Sequence, residues 1–289
     1  MWGFTGILGV LISINAEELV WYRLVIASIS LAVFMYFMKR PFKVSSKKRL
    51  FGLIGVGVFV GLHWLTFYQS IKLSTASLGI ICLSTTTIHV TWLEPLILKK
   101  KFNVFEFLLG ICVVPGIYLI ADDFSGEEYL ALTIGLVSAL LAALFAVFNA
   151  RFVEEDRPSV ITLYEMLSAT IVMTIILLFQ GKMNADLFQI SQSDFLWLLF
   201  LGIFCTSLAF LLVVQIVKAL GSFTVSLSIN LEPVYTIILA IIILHENDSL
   251  GFSFYLGAGI IFAVVVTNAI LKAPRVKKKI QQIRSFNQI

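Results

Sequence analysis

The chain has 289 residues, of which 59% are hydrophobic and 13% are charged, and its mean hydropathy is +0.98. About a quarter of the residues in an ordinary soluble domain are charged, so this composition excludes that class and indicates a membrane protein. Cys82, Cys112 and Cys205 all lie in apolar stretches, with no spacing typical of a disulfide framework or a metal site. We therefore expect no metal and no cofactor.

Ten apolar runs divide the chain. The first run, 1–14, would be about 21 Å long as a helix, short of the ~30 Å hydrocarbon layer. The runs cover approximately 1–14, 18–38, 50–70, 74–98, 103–121, 128–150, 159–180, 194–217, 221–244 and 251–271. This pattern predicts an all-α membrane protein with ten transmembrane helices, the first of them truncated at its N-terminus. No cleavable signal peptide is apparent.

Basic residues concentrate in alternate connections between the runs. Of the 21 Lys and Arg residues, all but Arg23, Lys72 and Lys182 fall on one side of the predicted topology. The positive-inside rule makes that side cytoplasmic, so both termini are expected in the cytoplasm and the protein in the cell membrane. The segment 276–289 is a basic cytoplasmic tail, which we expect to bind anionic lipid and not nucleic acid.

The two halves of the chain resemble each other weakly. A shift of 142 positions places Tyr22-Arg23 on Tyr164-Glu165, and a shift of 146 places Gln69 and Lys72 on Gln215 and Lys218. A shift of 147 places Gly110 on Gly257, Lys99 on Glu246 and Thr86 on Pro233. The predicted units are 1–123 and 124–275, with five runs each. An odd number of helices makes the second unit enter the membrane from the opposite face, and such inverted repeats are typical of secondary transporters.

The ninth run carries the most specific pattern. Leu231-Glu232-Pro233-Val234 lies near its middle, Leu244-His245-Glu246 closes it, and a second apolar run follows with Gly257. Pro233 lacks an N–H group and predicts a helix break beside the Glu232 carboxylate. A carboxylate at this depth requires a protein or water partner.

This pattern resembles the EamA-type domain of the drug/metabolite transporter superfamily. The resemblance implies two inverted five-helix repeats around a central cavity, and export of an amino acid or similar small metabolite. The first half departs from it, because Ser84-Thr85-Thr86-Thr87 replaces the Glu-Pro element and Lys99 replaces Glu246.

Polar residues within the apolar runs are candidates for the walls of that cavity. Glu232 and Asn230 adjoin the predicted break, and either bind substrate or a proton, or only fix the kink. His63, Trp64 and Phe67 form a pocket wall or a helix contact, since polar side chains also join packed membrane helices. The same alternatives hold for Thr85, Thr86 and His89.

Further candidates lie on the sixth and eighth runs: Phe145, Asn149, Thr206 and Phe210. Arg23 and Glu165, near helix ends, are expected to extend toward the membrane interface.

A secondary transporter that works by alternating access accounts best for these features, with the lipid bilayer and a small-molecule substrate as partners. Proton coupling through Glu232 or His63, uniport and exchange all fit the pattern. The alternatives are a membrane-embedded enzyme and a non-transporting membrane subunit. The sequence contains no H-E-x-x-H or G-x-S-x-G motif for the former, and the latter would not need inverted repeats.

Overall fold

A computed structural model describes residues 2–122, 124, 126–152, 157–209, 212, 232–248 and 250–286, and no β-strand occurs within these ranges. The α-helices are α1 (Gly3–Leu11), α2 (Ala16–Phe37), α3 (Lys47–Leu73), α4 (Ala76–Ser84), α5 (Thr86–Leu98), α6 (Val104–Ile111), α7 (Val113–Ala121), α8 (Gly126–Phe152), α9 (Pro158–Phe179), α10 (Gln192–Leu199), α11 (Glu232–Leu244) and α12 (Phe252–Phe286). A π-helix, Phe200–Leu208, continues α10, and 3₁₀ turns cover Ala185–Phe188 and Glu246–Asp248.

Local sequence accounts for many of the helix starts. Ser46, Thr75 and Ser191 each accept a hydrogen bond through the side-chain oxygen from a backbone N–H group three residues later, and so cap α3, α4 and α10. Pro158 opens α9, where its missing N–H group costs nothing. Lys39 and Gly181 follow α2 and α9 in the left-handed conformation that terminates helices.

The fourth and fifth runs form interrupted helices. α4 and α5 meet at Thr85, whose hydroxyl group donates to the Cys82 carbonyl at 2.6 Å. α6 and α7 meet at Cys112, three residues before Pro115. Pro115 has no N–H group to offer the Ile111 carbonyl, which explains the interruption.

Six helical segments are long and apolar enough to cross a membrane: Ala16–Phe37, Lys47–Leu73, Ala76–Leu98, Val104–Ala121, Gly126–Phe152 and Pro158–Phe179. Shorter apolar helices cover Gln192–Leu208, Glu232–Leu244 and Phe252–Asn268. The prediction of an all-α membrane protein is therefore confirmed.

Matching helix bounds relate the two halves of the chain. α2 and α9 are each 22 residues long, with both ends offset by 142 positions, 16 to 158 and 37 to 179. This offset equals one of the shifts found in the sequence.

α3 occupies the centre of the bundle, where it packs against both α8 and α9. Gly57 permits this approach, because a Cβ atom at that position would lie 2.5 Å from both the Glu165 carbonyl oxygen and the Ser168 Cβ atom. One hydrophobic core fills the space between α1, α2, α3 and α9, and a second lies between α4, α7, α8 and α12.

Large apolar side chains cover the outside of the bundle. Ile29, Phe51, Ile171 and Phe179 are all exposed, as are many others on the same helices. Such a surface suits hydrocarbon and not water, so the protein is a multi-pass membrane protein.

α12 extends to Phe286 and so includes most of the basic segment 276–289. The side chains of that segment lie outside the described part of the structure, and its lipid contact stays a prediction.

Candidate functional site

Arg23 is the centre of a buried polar cluster on α2, α3 and the π-helix. Its side chain is 5% exposed, although Arg23 lies about 10 Å along α2 from Ala16. Nε donates to Thr206 Oγ1 at 3.0 Å and Nη1 donates to Tyr68 Oη at 3.0 Å. The guanidinium carbon lies 3.7 Å from the centre of the Trp64 ring.

Both hydroxyl groups in this cluster are oriented by backbone carbonyls. Thr206 donates to the Leu201 carbonyl at 2.9 Å, and Tyr68 donates to the Thr5 carbonyl at 3.4 Å. Since their hydrogens are used there, the oxygens present lone pairs to Arg23. Leu201 lies five residues before Thr206. The wider turn of the π-helix brings the Thr206 hydroxyl group close to the Leu201 carbonyl.

No carboxylate of the described residues lies within 4 Å of the Arg23 guanidinium. The stretches 210–211 and 213–231, outside the described part, contain no Asp or Glu. A charged side chain at the centre of a membrane helix costs about 3 kcal/mol. The ring face and the two hydroxyl groups stabilise the guanidinium but leave its charge without a neutralising partner.

The expectation that Arg23 and Glu165 extend toward the interface is wrong. Both are 5% exposed and face protein. Asn149 Nδ2 donates to Glu165 Oε2 at 3.1 Å, while Glu165 Oε1 and Asn149 Oδ1 are buried and unpaired within the described residues. Seven helical positions separate each residue from its helix start, which places both too deep to reach the interface.

His63 joins α3 to α8. Its Nδ1 atom lies 2.8 Å from Ser138 Oγ and 3.0 Å from the Ser138 carbonyl oxygen, and Ser138 Oγ donates to the His63 carbonyl at 2.9 Å. The imidazole ring also packs near Phe145 and Phe67, with ring centres 5.5 Å and 6.2 Å apart. These contacts favour the alternative in which His63 holds two packed helices together.

Thr85, Thr86 and His89 lie at and after the break between α4 and α5. Thr85 is tied to its own helix, and Thr86 donates to the Ala139 carbonyl on α8 at 3.3 Å. His89 packs edge-on against Trp92, and its Nδ1 atom is buried and has no hydrogen bond within the described ranges. This group is separate from the Arg23 cluster.

Glu232 and Pro233 are the first two described residues of α11. Glu232 is partly buried, and its carbonyl accepts a hydrogen bond from Thr236. Thr236 in turn contacts the Gly3 and Gly6 positions of α1. The helix break predicted at Pro233 would involve residues 213–231, which include Asn230. These residues and Phe210 lie outside the described part of the structure.

A second set of polar contacts links the two halves at the predicted outer end. Asp194 on α10 accepts hydrogen bonds from the backbone and side chain of Ser13, at 2.7 Å and 2.6 Å. Glu246 accepts from the N–H groups of Ala76 and Ser77 at 2.8 Å and 3.0 Å. Its carboxylate thus satisfies the first turn of α4.

The sequence-predicted residues therefore fall into several groups. Trp64 and Thr206 both contact Arg23; His63, Phe67 and Phe145 form a neighbouring aromatic group; Asn149 binds Glu165. Sequence reasoning overlooked Arg23, Tyr68 and Glu165 as site residues. Asn15 precedes the first residue of α2 and is of a residue type that favours helix starts, so counting eight residues from it would have placed Arg23 two turns inside the helix.

Comparison with known families identifies the chain. The EamA-like transporter family matches residues 1–121 and 129–269. The chain belongs to the EamA-like transporter family. This confirms the resemblance found in the Leu231–Val234 and Leu244–Glu246 motifs, and places the protein among membrane transporters.

This EamA-like protein is also similar to one curated relative and to one solved structure. The "Uncharacterized transporter YdfC" of Bacillus subtilis (strain 168) is 24% identical over 253 residues, which are 86% of this chain and 80% of the relative. A solved crystal structure with a TM-score of 0.66 and 13% identity covers 96% of this chain and 94% of its own, so the two share a fold.

Proposed function

We propose that this EamA-like protein is a secondary transporter that moves a small organic metabolite, an amino acid or a similar compound, out of the cell by alternating access. Arg23 carries the proposal. A deeply buried guanidinium without a carboxylate partner among the described residues is costly in free energy. A solute that enters the bundle and binds the guanidinium would offset that cost.

The position of the cluster supports this interpretation. Arg23, Trp64 and Tyr68 belong to the predicted first unit, 1–123, whereas Thr206 belongs to the second, 124–275. Secondary transporters built from repeats bind their substrates between the two repeats near mid-membrane. The matched bounds of α2 and α9, offset by 142 positions, support the two inverted five-helix repeats as part of the proposal.

Alternating access requires contacts at one end to break while contacts at the other end form. The Asp194–Ser13 and Glu246–Ala76 contacts would keep the outer end closed in this conformation. The interruptions at Thr85 and Cys112, and the proposed break at Pro233, provide positions at which the helices can bend.

Transport is tested with the purified full chain in proteoliposomes. The vesicles are loaded with each of the twenty amino acids, or with sugars and amines, and entry of the same labelled solute from outside is followed. A transporter gives counterflow that saturates with concentration, whereas empty liposomes do not. Absence of counterflow for every solute would contradict the proposal.

Proton coupling is proposed through Glu232, and the Glu232→Gln variant tests it. The variant should lose accumulation driven by a pH gradient but keep exchange of solute for solute, because exchange does not require net proton movement. Accumulation equal to that of the unaltered protein would exclude Glu232 as the proton carrier. A His63→Gln variant, measured in parallel, tests the other candidate.

A further inference from the structure

Three sides of the Arg23 guanidinium are accounted for by the protein. Trp64 covers one face, Thr206 takes the Nε hydrogen, and Tyr68 takes one Nη1 hydrogen. Nη2 has no hydrogen-bond partner among the described residues. The edge formed by Nη1 and Nη2 is therefore left for a ligand, and a planar pair of donors suits a group with two acceptor oxygens.

Several carboxylates of the described residues have partners other than Arg23. Asp194 binds Ser13, Glu246 caps α4, Glu165 binds Asn149, and Glu17 lies 3.6 Å from the Lys182 ammonium nitrogen. The Glu232 carboxylate, too, is not within 4 Å of an Arg23 nitrogen. Among the described residues, then, no carboxylate pairs with Arg23, and a bound ligand can supply the negative charge.

The charge of the cluster and the rings around it indicate which class of anion would bind there. Arg23 is the only cation in the described contacts of Trp64, Tyr68 and Thr206. One guanidinium balances one negative charge, which favours a monovalent carboxylate over a phosphate carrying two charges. The surrounding Trp64 and Tyr68 rings suit an organic group attached to that carboxylate.

We propose that Arg23 binds the carboxylate of the transported solute through Nη1 and Nη2, with Tyr68, Thr206 and Trp64 as its positioning residues. This inference rests on the proposed transport function and narrows its substrate to small organic carboxylates. In the absence of solute, the cluster holds an uncompensated charge; on binding, the solute carboxylate neutralises it.

Binding is measured on the purified full chain by the shift of its thermal midpoint in detergent. The probes are pairs that differ only in the carboxylate: leucine with leucinamide, phenylalanine with phenylalaninamide, butyrate with butyramide, and 4-methylpentanoate with its amide. We expect at least one carboxylate at saturating concentration to raise the midpoint by about 3 °C, and its amide to have no effect. If no carboxylate raises the midpoint, or if the amides do so equally, the proposal is overturned.

Substitutions at position 23 assign the effect to the guanidinium. Arg23→Gln retains N–H donors for Tyr68 or Thr206 and should fold, but its affinity for the carboxylate should fall by roughly 10- to 100-fold. Arg23→Lys retains the charge without the paired donors and should bind with an intermediate affinity. Unchanged affinity in both variants would overturn the proposal.

Arg49 provides a matched control. Its guanidinium also lies over an aromatic ring, that of Phe152 at 5.1 Å, and donates to the Phe152 carbonyl at 2.9 Å, but at the opposite end of the bundle. Arg49→Gln should leave carboxylate binding unchanged. A loss equal to that of Arg23→Gln would show a general structural effect and contradict the assignment.

The proteoliposome assay separates this inference from the proposed function. Counterflow of sugars or amines that Arg23→Gln retains would establish a transporter while overturning the carboxylate site. Arg23-dependent carboxylate binding without counterflow of any solute would establish the site while contradicting transport.

Discussion

His63 shows, at the scale of single residues, how a polar side chain in a membrane helix can serve packing. It exchanges hydrogen bonds with Ser138 on α8 and packs near Phe145. Both residues are buried, so the loss of either partner leaves a polar group unsatisfied.

His63→Ala should therefore lower stability by about 2 kcal/mol, which corresponds to several degrees in the thermal midpoint. The measurement is a thermal unfolding curve in detergent, followed by counterflow at several pH values for the folded fraction. Thr66→Ala on the same helix is the control, since Thr66 bonds only to its own helix at Leu62 and His63. A stable His63→Ala protein that loses its pH dependence would instead support proton transfer by His63.

At the scale of the helix, the close packing of α3 against α9 depends on Gly57. A methyl group at this position would lie 2.5 Å from backbone and side-chain atoms of α9, neither of which is the end of a flexible side chain. The neighbouring Gly55 has no such atom within 4 Å. Two glycines on one helix thus have different roles.

Gly57→Ala should force α3 away from α9 and cost about 1–3 kcal/mol. Gly55→Ala is the matched control and should be neutral or slightly stabilising, because alanine favours a helix by up to about 1 kcal/mol over glycine. Thermal midpoints in the same detergent compare the two variants directly. Equal thermal midpoints of the two variants would mean that α3 and α9 can move apart without loss of stability.

Glu246, in the second half of the chain, binds the first turn of α4 in the first half. Its carboxylate replaces the missing intrahelical partners of the Ala76 and Ser77 N–H groups, 170 and 169 residues away. In the first half, Lys99 lies near the matching position, and its ammonium group cannot accept hydrogen bonds.

Glu246→Ala should loosen the start of α4 and cost about 2 kcal/mol. Cys82, buried near the end of α4, should then react faster with N-ethylmaleimide than it does in the unaltered protein. Asp248→Ala is the control, since Asp248 is exposed in the same turn. An unchanged labelling rate in Glu246→Ala would show that the cap does not hold α4.

The orientation of the whole molecule is a prediction from charge alone. In a cysteine-free background, Ser45→Cys in the connection between α2 and α3 should react with an impermeant maleimide only in broken cells. Asn184→Cys, in the exposed connection after α9, should react in intact spheroplasts. The reverse pattern would invert the topology and place both termini outside.

Much of the whole fold follows from local sequence patterns. Apolar runs of sufficient length predict the helices, and the 142-position shift in the sequence anticipates the matched bounds of α2 and α9. The EamA motifs identify the family because they lie within one short stretch. The interruption at Thr85 was not anticipated, since no proline lies there to signal it.

The sequence by itself determined that the chain is a helical membrane protein of the EamA-like family, because hydropathy and motifs are properties of neighbouring residues. Only the tertiary structure decided which polar residues meet. Arg23 and Thr206 are 183 positions apart, and the sequence predicts Arg23 at the interface, whereas the folded chain buries it. The physical reason is that the cost of a charge depends on the atoms around it, and folding supplies those atoms from distant parts of the chain.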